Sequence, residues 1–324
     1  MPSLKEISAP IAPYMDEFND RLKAALKTDS ILLDRIIRYI LKRKGKQMRP
    51  MFVFLSADLN GGINESTYNA AIFVEMMHTA TLVHDDVVDG SPQRRGFFSV
   101  NALWKNKVAV LVGDYLLSRG LLLSLDSREF DVLRIISHAV KEMSEGELIQ
   151  IEKARLMNIT EEIYFKIIRK KTASLIASCC AAGAFAAGAG EECRAKMHEF
   201  GECVGIAFQI KDDLFDFEEL NNTGKPGGLD IKERKMSLPV IHLLNSVGAL
   251  ERSRIIHAIK SHHNDPKKID SVLQQVRNSP GMDYAKMKMM EYRDRALNIL
   301  SEFPENQARQ SLHDLVLFTT DRNY

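Results

Sequence analysis

The stretch EMMHTATLVHDDVVDGSPQRRG, Glu75 to Gly96, changes character at its middle. Its first half spaces apolar residues as a helix does, its centre places Asp85, Asp86 and Asp89 within five residues, and its end carries Arg94 and Arg95 behind a Gly-Ser-Pro turn. The device recurs. VGIAFQIKDDLFD, starting at Val204, again closes an apolar run with a DDxxD set, Asp212, Asp213 and Asp216. Residues four apart lie on one helix face with Cβ atoms about 5 to 6 Å apart, so Asp85 with Asp89, and Asp212 with Asp216, can flank one ligand.

Working outward, helical periodicity dominates the chain. SILLDRIIRYILKRK, EFDVLRIISHAVKEM and EEIYFKIIRKKTASLIA place apolar residues three and four apart, and alternating strand patterns are scarce. Breaks fall at NGGINES, GSPQRRG, NNTGKPGG and HHNDPKK, whose turn chemistry suits links between helices. None is long enough for an interdomain linker, and there is no fixed-period repeat or Gly-rich phosphate loop. The expectation is an all-α fold, one large helical bundle spanning residues 1–324 as a single domain.

Composition narrows the function. Forty-four Lys plus Arg against 43 Asp plus Glu leave a formal charge of +1, which gives no electrostatic case for a nucleic-acid partner or an anionic membrane surface. The four cysteines, Cys179, Cys180, Cys193 and Cys203, form no CxxC, which argues against zinc and a secreted disulfide framework and for a reducing cytoplasm. The opening MPSLKEISAPIAPYMDEF lacks the apolar run of a signal peptide. No transmembrane segment is expected. The uncharged stretch Ser174 to Gly190 would reach only about 25 Å as a helix, short of the roughly 30 Å hydrocarbon core, and its small residues suit close soluble packing.

A single DDxxD reads more readily as a solvated helix end than as a site; two copies, each behind an apolar segment, point to function. Hard carboxylate oxygens suit Mg²⁺, which takes one or two carboxylates, keeps waters and completes its octahedron with phosphate oxygens. Six facing carboxylates would resist ionisation together unless cations neutralised them. An EF-hand does not fit, because neither stretch has the alternating ligands, Gly and late Glu of that loop. Lys46, Arg49, Arg94, Arg95, Lys171 and Lys225 supply charge suited to diphosphates, although each alone reads as a surface charge. His78 lies two turns before Asp85 on nearly the same face; alone it reads as a structural histidine.

These residues resemble the all-trans polyprenyl diphosphate synthases. GKQMRP, EMMHTATLVHDDVVDGSPQRRG, GDYLLSRG, GELIQ, KTASL, FQIKDDLFD, GKPGGLD and KMSLP occur in that family's order from about residue 45 to 240, and a DRN lies near the C-terminus. Two positions depart from the pattern: Gln47 replaces a residue usually basic, and Arg234 stands where Gly commonly precedes Lys235. The resemblance implies head-to-tail condensation of isopentenyl diphosphate with an allylic diphosphate (farnesyl, geranyl or dimethylallyl). It implies three Mg²⁺ ions, two on Asp85 and Asp89 and one on Asp212, with Asp86, Asp213 and Asp216 completing the metal-binding set through waters or indirect contacts. By the same resemblance Arg94, Lys171 and Lys225 hold the allylic diphosphate, Lys46, Arg49, His78 and Arg95 hold isopentenyl diphosphate, and Thr172 and Gln209 turn oxygen dipoles toward the allylic cation. A homodimer is implied as well.

In that family the growing tail passes along the helix bearing the first DDxxD. Ala80 and Thr81 are small and should let it pass, leaving Met77 and Val74 as a deeper floor. Ordinary helix packing explains Ala80 and Thr81 nearly as well, and the floor could instead lie near Leu116 to Leu122. HTATLVHDDVVD resembles the medium- and long-chain members, which implies a product of roughly 25 to 40 carbons at about one isoprene unit per helical turn, with a geranylgeranyl diphosphate synthase as the alternative. Remoter alternatives are a class I terpene cyclase, which would not normally repeat DDxxD, and a non-catalytic subunit of a heteromeric synthase, which should have lost aspartates.

Overall fold

The computed structural model describes residues 2–43, 45–94, 96–217, 228–261 and 265–321. The chain runs through α1 (Leu4–Ile7), a 3₁₀ turn (Ala9–Ile11), α2 (Ala12–Ala25), α3 (Ile31–Leu41), α4 (Met48–Leu59) and α5 (Glu65–Val88). A short hairpin, β1 (Gln93–Arg94) and β2 (Phe97–Phe98), leads into α6 (Val100–Asp126), α7 (Phe130–Leu156), α8 (Glu161–Ile168), a π-helical turn (Arg169–Ala173) and α9 (Ser174–Ala186). Then come α10 (Glu191–Phe215), α11 (Leu229–Lys232), α12 (Leu238–Ser246), α13 (Ala249–Ser261), α14 (Pro266–Arg277), α15 (Gly281–Ser301) and α16 (Gln307–Asp321). The all-α expectation holds.

α5, α9 and α10 form the centre. α4 packs on α9, α6 lies along α5, and α15 lies along α10. One apolar cluster, with Phe18, Phe52, Phe54, Phe73 and Phe200 fully buried, fills the space among α2, α4, α5, α9 and the first half of α10. A second, with Tyr164, Ile210, Phe217 and Leu238, joins α8 and the second half of α10 to α12–α15. α10 therefore carries its DDxxD end out of one core and into the other.

α9 shows why the stretch from Ser174 is so rich in small residues. A Cβ on Gly183 would lie 2.2 Å from the Val53 carbonyl oxygen, so α4 and α9 touch at backbone distance. The stretch is core, as its composition implies. Among the described residues, the helix long and apolar enough to cross a membrane is instead α6. It packs on α5 with one face and exposes Val110, Leu111, Leu121, Leu122 and Leu125 on the opposite one.

Two sequence departures find physical explanations. Gln47 sits in the left-handed region (φ 50°) at the start of α4 and donates its amide to Asn19 of α2 (3.0 Å), so its place is fixed by packing. Arg234, at φ 59°, occupies a turn that favours glycine. Restoring the glycine relieves the left-handed strain at some entropic cost, so Arg234→Gly should stabilise the fold by roughly 0.5 to 1 kcal/mol in urea unfolding. A loss of stability would show that the arginine side chain anchors this turn.

Candidate active site

Both DDxxD sets sit in the last turn of a long helix, and neither last turn contains a basic residue. The C-terminal end of a helix carries partial negative charge, so three carboxylates there oppose the dipole rather than complement it. Asp89 and Asp216 are the C-cap residues themselves. Such an arrangement is unfavourable for folding and favourable for capturing cations.

The six aspartates divide by partner. Asp86 is buried and accepts from Arg94 Nε (2.8 Å), which ties the hairpin back to α5. Asp213 is buried and accepts from Tyr164 Oη (2.7 Å) and Gln209 Nε2 (2.9 Å). Asp216 accepts from the backbone N–H groups of Leu229 (2.8 Å) and Asp230 (3.0 Å), fixing the start of α11. These three hold the frame. Asp85 and Asp89 are exposed at the end of α5, and Asp212 is half-buried at the end of α10.

Charge is dense around them. Enclosure at the cavity rim and then the nearby Glu147 push the Asp85 carboxyl above its ordinary value, with Lys171 pulling the other way. Burial raises Asp213 and Asp230, and their closeness to other carboxylates, Asp212 beside Asp213 and Asp213 with Asp216 beside Asp230, raises them further. Burial alone would lower the Lys235 ammonium, but Glu233, Asp230 and Glu147 leave it above its usual value. A site with surplus carboxylate charge, hard oxygen donors and negative helix poles fits divalent cations. Among the described residues no three acidic, His or Cys side chains converge as a ready-made metal cage. Substrate phosphate oxygens would have to complete the coordination, as the sequence reading requires.

The basic residues come from four directions. Lys171 pairs with Glu147 of α7 and donates to Gln150 (3.4 Å). The π turn explains its reach: one extra residue in the turn re-aims the side chains around it. Lys170 meets Glu142 and Glu145 of α7, Lys171 meets Glu147, and Thr172 donates to Gln209 Oε1 of α10 at 2.7 Å. The sequence pattern implied a single helix from Glu161 to Ala177. Lys46 lies over the Phe318 ring of α16 (5.0 Å), and Arg49 and the buried His78 face the same cavity. Arg95 and Lys225 lie outside the described residues.

That cavity encloses about 710 Å³, within the range of ligand sites. Asp85, Asp86, Arg94, Lys46, Arg49, His78, Lys171, Thr172, Gln209 and Thr81 all line it, with Phe52, Met76, Leu116, Leu175 and Ile176 supplying apolar wall. On α5 its wall reaches back to Glu75, about 15 Å along the axis from Asp85. Of the proposed chain-length positions only Thr81 lines it. Ala80, Met77 and Val74 are buried off its wall, and a Cβ on Gly120 of α6 would fall 2.6 Å from Met77 Cε and 2.9 Å from Phe73. The close seam between α5 and α6 therefore takes the face on which Ala80 and Met77 lie. Tyr164 belongs to the site yet carried no recognisable signal, because it matters through a partner distant in sequence; Glu147, Asp230 and Lys235 stood in the quoted motifs GELIQ, GKPGGLD and KMSLP without a role.

Asp85 and Asp86 stand on the wall of a cavity whose lining mixes charged and apolar side chains, while Asp89, Asp212, Asp213 and Asp216 lie off that wall, a composition that fits a diphosphate substrate with a hydrocarbon part. The family model described as "Polyprenyl synthetase" matches residues 30–276, and the chain belongs to that family. It is 34% identical, over 98% of both chains, to the all-trans-nonaprenyl-diphosphate synthase (geranyl-diphosphate specific) of Rhodobacter capsulatus. It is 32% identical to the octaprenyl diphosphate synthase of Haemophilus influenzae, covering 99% of this chain and 98% of the relative. Its structure matches a Caulobacter crescentus polyprenyl synthase complexed with calcium and isoprenyl diphosphate, with a TM-score of 0.91, 30% identity and 99% and 98% of the two chains covered.

The raised carboxyls give a pH test. With their folded values above the unfolded ones, the cation-free folded state keeps protons that the unfolded chain has lost, so stability falls as pH rises through that window. The thermal midpoint should rise as pH is lowered from about 8 to about 6, and Asp230→Asn should flatten the slope. An unchanged slope in that variant would remove Asp230 from the account.

Proposed function

We propose that the chain is a trans-prenyltransferase that condenses isopentenyl diphosphate head-to-tail with an allylic diphosphate to make a medium- to long-chain all-trans polyprenyl diphosphate. One observation carries this: the helices bearing the two DDxxD sets both contribute to the wall of one cavity, α5 through Asp85 and Asp86 and α10 through Phe208 and Gln209, and that wall is part charged and part apolar. Relatives named for nonaprenyl and octaprenyl products support this length over the geranylgeranyl alternative. Retention of both aspartate motifs supports catalysis over a non-catalytic subunit, and the second DDxxD argues against a terpene cyclase.

Asp85 and Asp89 would hold two Mg²⁺ ions and Asp212 a third, and these ions, when bound, neutralise the allylic diphosphate and stabilise it as a leaving group. Lys171, Arg94 and Lys225 bind that same diphosphate; for Lys171 and Arg94 this means exchanging the carboxylates of Glu147 and Asp86 for phosphate oxygens. Lys46, Arg49, His78 and Arg95 hold isopentenyl diphosphate so that its double bond faces the allylic carbon. The allylic C–O bond breaks with the electron pair leaving on diphosphate, the double bond attacks the cation, and loss of a proton to the departed diphosphate restores an alkene. Thr172 and Gln209 present oxygen toward the cation, and the apolar wall excludes water that would capture it.

The exposed apolar face of α6 supports a homodimer with a second copy packed on it. Replacing Leu122 and Leu125 together by Glu should give a protein of half the mass by light scattering; an unchanged mass would place any interface elsewhere. Purified protein given Mg²⁺, labelled isopentenyl diphosphate and farnesyl diphosphate should yield a ladder ending between heptaprenyl and nonaprenyl. Asp85→Ala should lower turnover by at least about a hundredfold. A stop at geranylgeranyl would overturn the assigned length, and normal turnover in Asp85→Ala would overturn the site.

A further inference from the structure

Behind the cavity wall a continuous chain of hydrogen bonds crosses three elements. Tyr164 Oη of α8 donates to Asp213 Oδ2 (2.7 Å), Gln209 Nε2 donates to Asp213 Oδ1 (2.9 Å), and Thr172 Oγ1 of the π turn donates to Gln209 Oε1 (2.7 Å). Tyr164 and Asp213 are buried, whereas Thr172 and Gln209 line the cavity. We propose that Tyr164 is a positioning residue for the allylic substrate: by anchoring Asp213 it fixes the amide of Gln209 with its oxygen, and with it the Thr172 oxygen, toward the cavity.

Asp213 accepts at both of its oxygens, from Tyr164 Oη and from Gln209 Nε2, so it takes the NH₂ end of Gln209 and sends the carbonyl oxygen the opposite way. Thr172 then spends its one proton on that oxygen, leaving its own lone pairs for the cavity. Without an anchor Asp213 could rotate, and Gln209 could present NH₂ groups to a developing cation. The phenol occupies the second carboxylate oxygen at the second apolar cluster, where an unmade bond is costly. Tyr164 touches neither the cavity nor the reacting atoms, so it acts only through Asp213 and Gln209.

The inference rests on the prenyltransferase reading, which the wild-type protein tests separately in the same assay: no turnover there defeats the reading, whereas a silent Tyr164 variant defeats only this assignment. Tyr164→Phe should lower kcat with farnesyl diphosphate at least about tenfold while KM for isopentenyl diphosphate stays within about twofold. Calorimetric affinity for Mg²⁺ with inorganic pyrophosphate should also stay within about twofold, because the phenol orients an amide and holds no metal. In a Gln209→Ala background Tyr164→Phe should add nothing, since the two changes break one relay. Asp213→Asn keeps the shape but leaves one acceptor oxygen where Tyr164 and Gln209 each use one, so the two can no longer both donate to it; it should lower kcat in parallel, and it serves as the test if Tyr164→Phe does not fold. Unchanged kcat, additive losses with Gln209→Ala, or a loss of pyrophosphate affinity matching the loss of kcat would each overturn the proposal.

Discussion

Carboxylates at the wrong end of a helix are the constraint on which this structure depends. α5 and α10 each finish on three aspartates, where the helix dipole already concentrates negative charge and where no lysine or arginine of the same turn compensates. The surroundings are arranged to bear that cost. Arg94 restrains Asp86, Tyr164 and Gln209 restrain Asp213, and backbone N–H groups restrain Asp216, which leaves Asp85 and Asp89 presented outward. Stability is given up at the helix ends and recovered in the two apolar clusters that flank α10.

The same constraint explains the basic residues. Lys171 is delivered by a π turn and parked on Glu147, and Lys235 is enclosed among Glu233, Asp230 and Glu147. Each is held near the motif by carboxylates, and for Lys171 the proposed function has a diphosphate take the place of Glu147. The cation–anion balance of the site is therefore complete only with substrate, which suits a reaction whose leaving group must be bound more tightly as its charge develops.

Much of this was legible in the sequence because it depends on short spacing. The four-residue separation within each DDxxD, the helical period around it and the nearby arginines identify the acidic helix ends, the all-α bundle and the diphosphate chemistry. What depends on rotation or on distant partners was not legible. Which face of α5 meets the cavity is decided by Gly120 on α6, whose missing side chain draws Met77 and Phe73 into the seam. The π turn is invisible in EEIYFKIIRKKTASLIA, whose apolar spacing reads as one uninterrupted helix. Tyr164 looks like any core aromatic until Asp213, 49 positions away, is found at its hydroxyl. Likewise the apolar face of α6 is a property of what fails to cover it.

In the proposed function these helix ends are cation sites completed by diphosphate oxygens rather than by the protein. Titration of the purified protein with Mn²⁺, followed by electron paramagnetic resonance with and without inorganic pyrophosphate, tests it most directly. The metal alone should bind weakly, and at least about tenfold more tightly once pyrophosphate is present, because the ion needs phosphate oxygens to fill its shell. Tight metal binding without pyrophosphate, or pyrophosphate binding that ignores the metal, would contradict it.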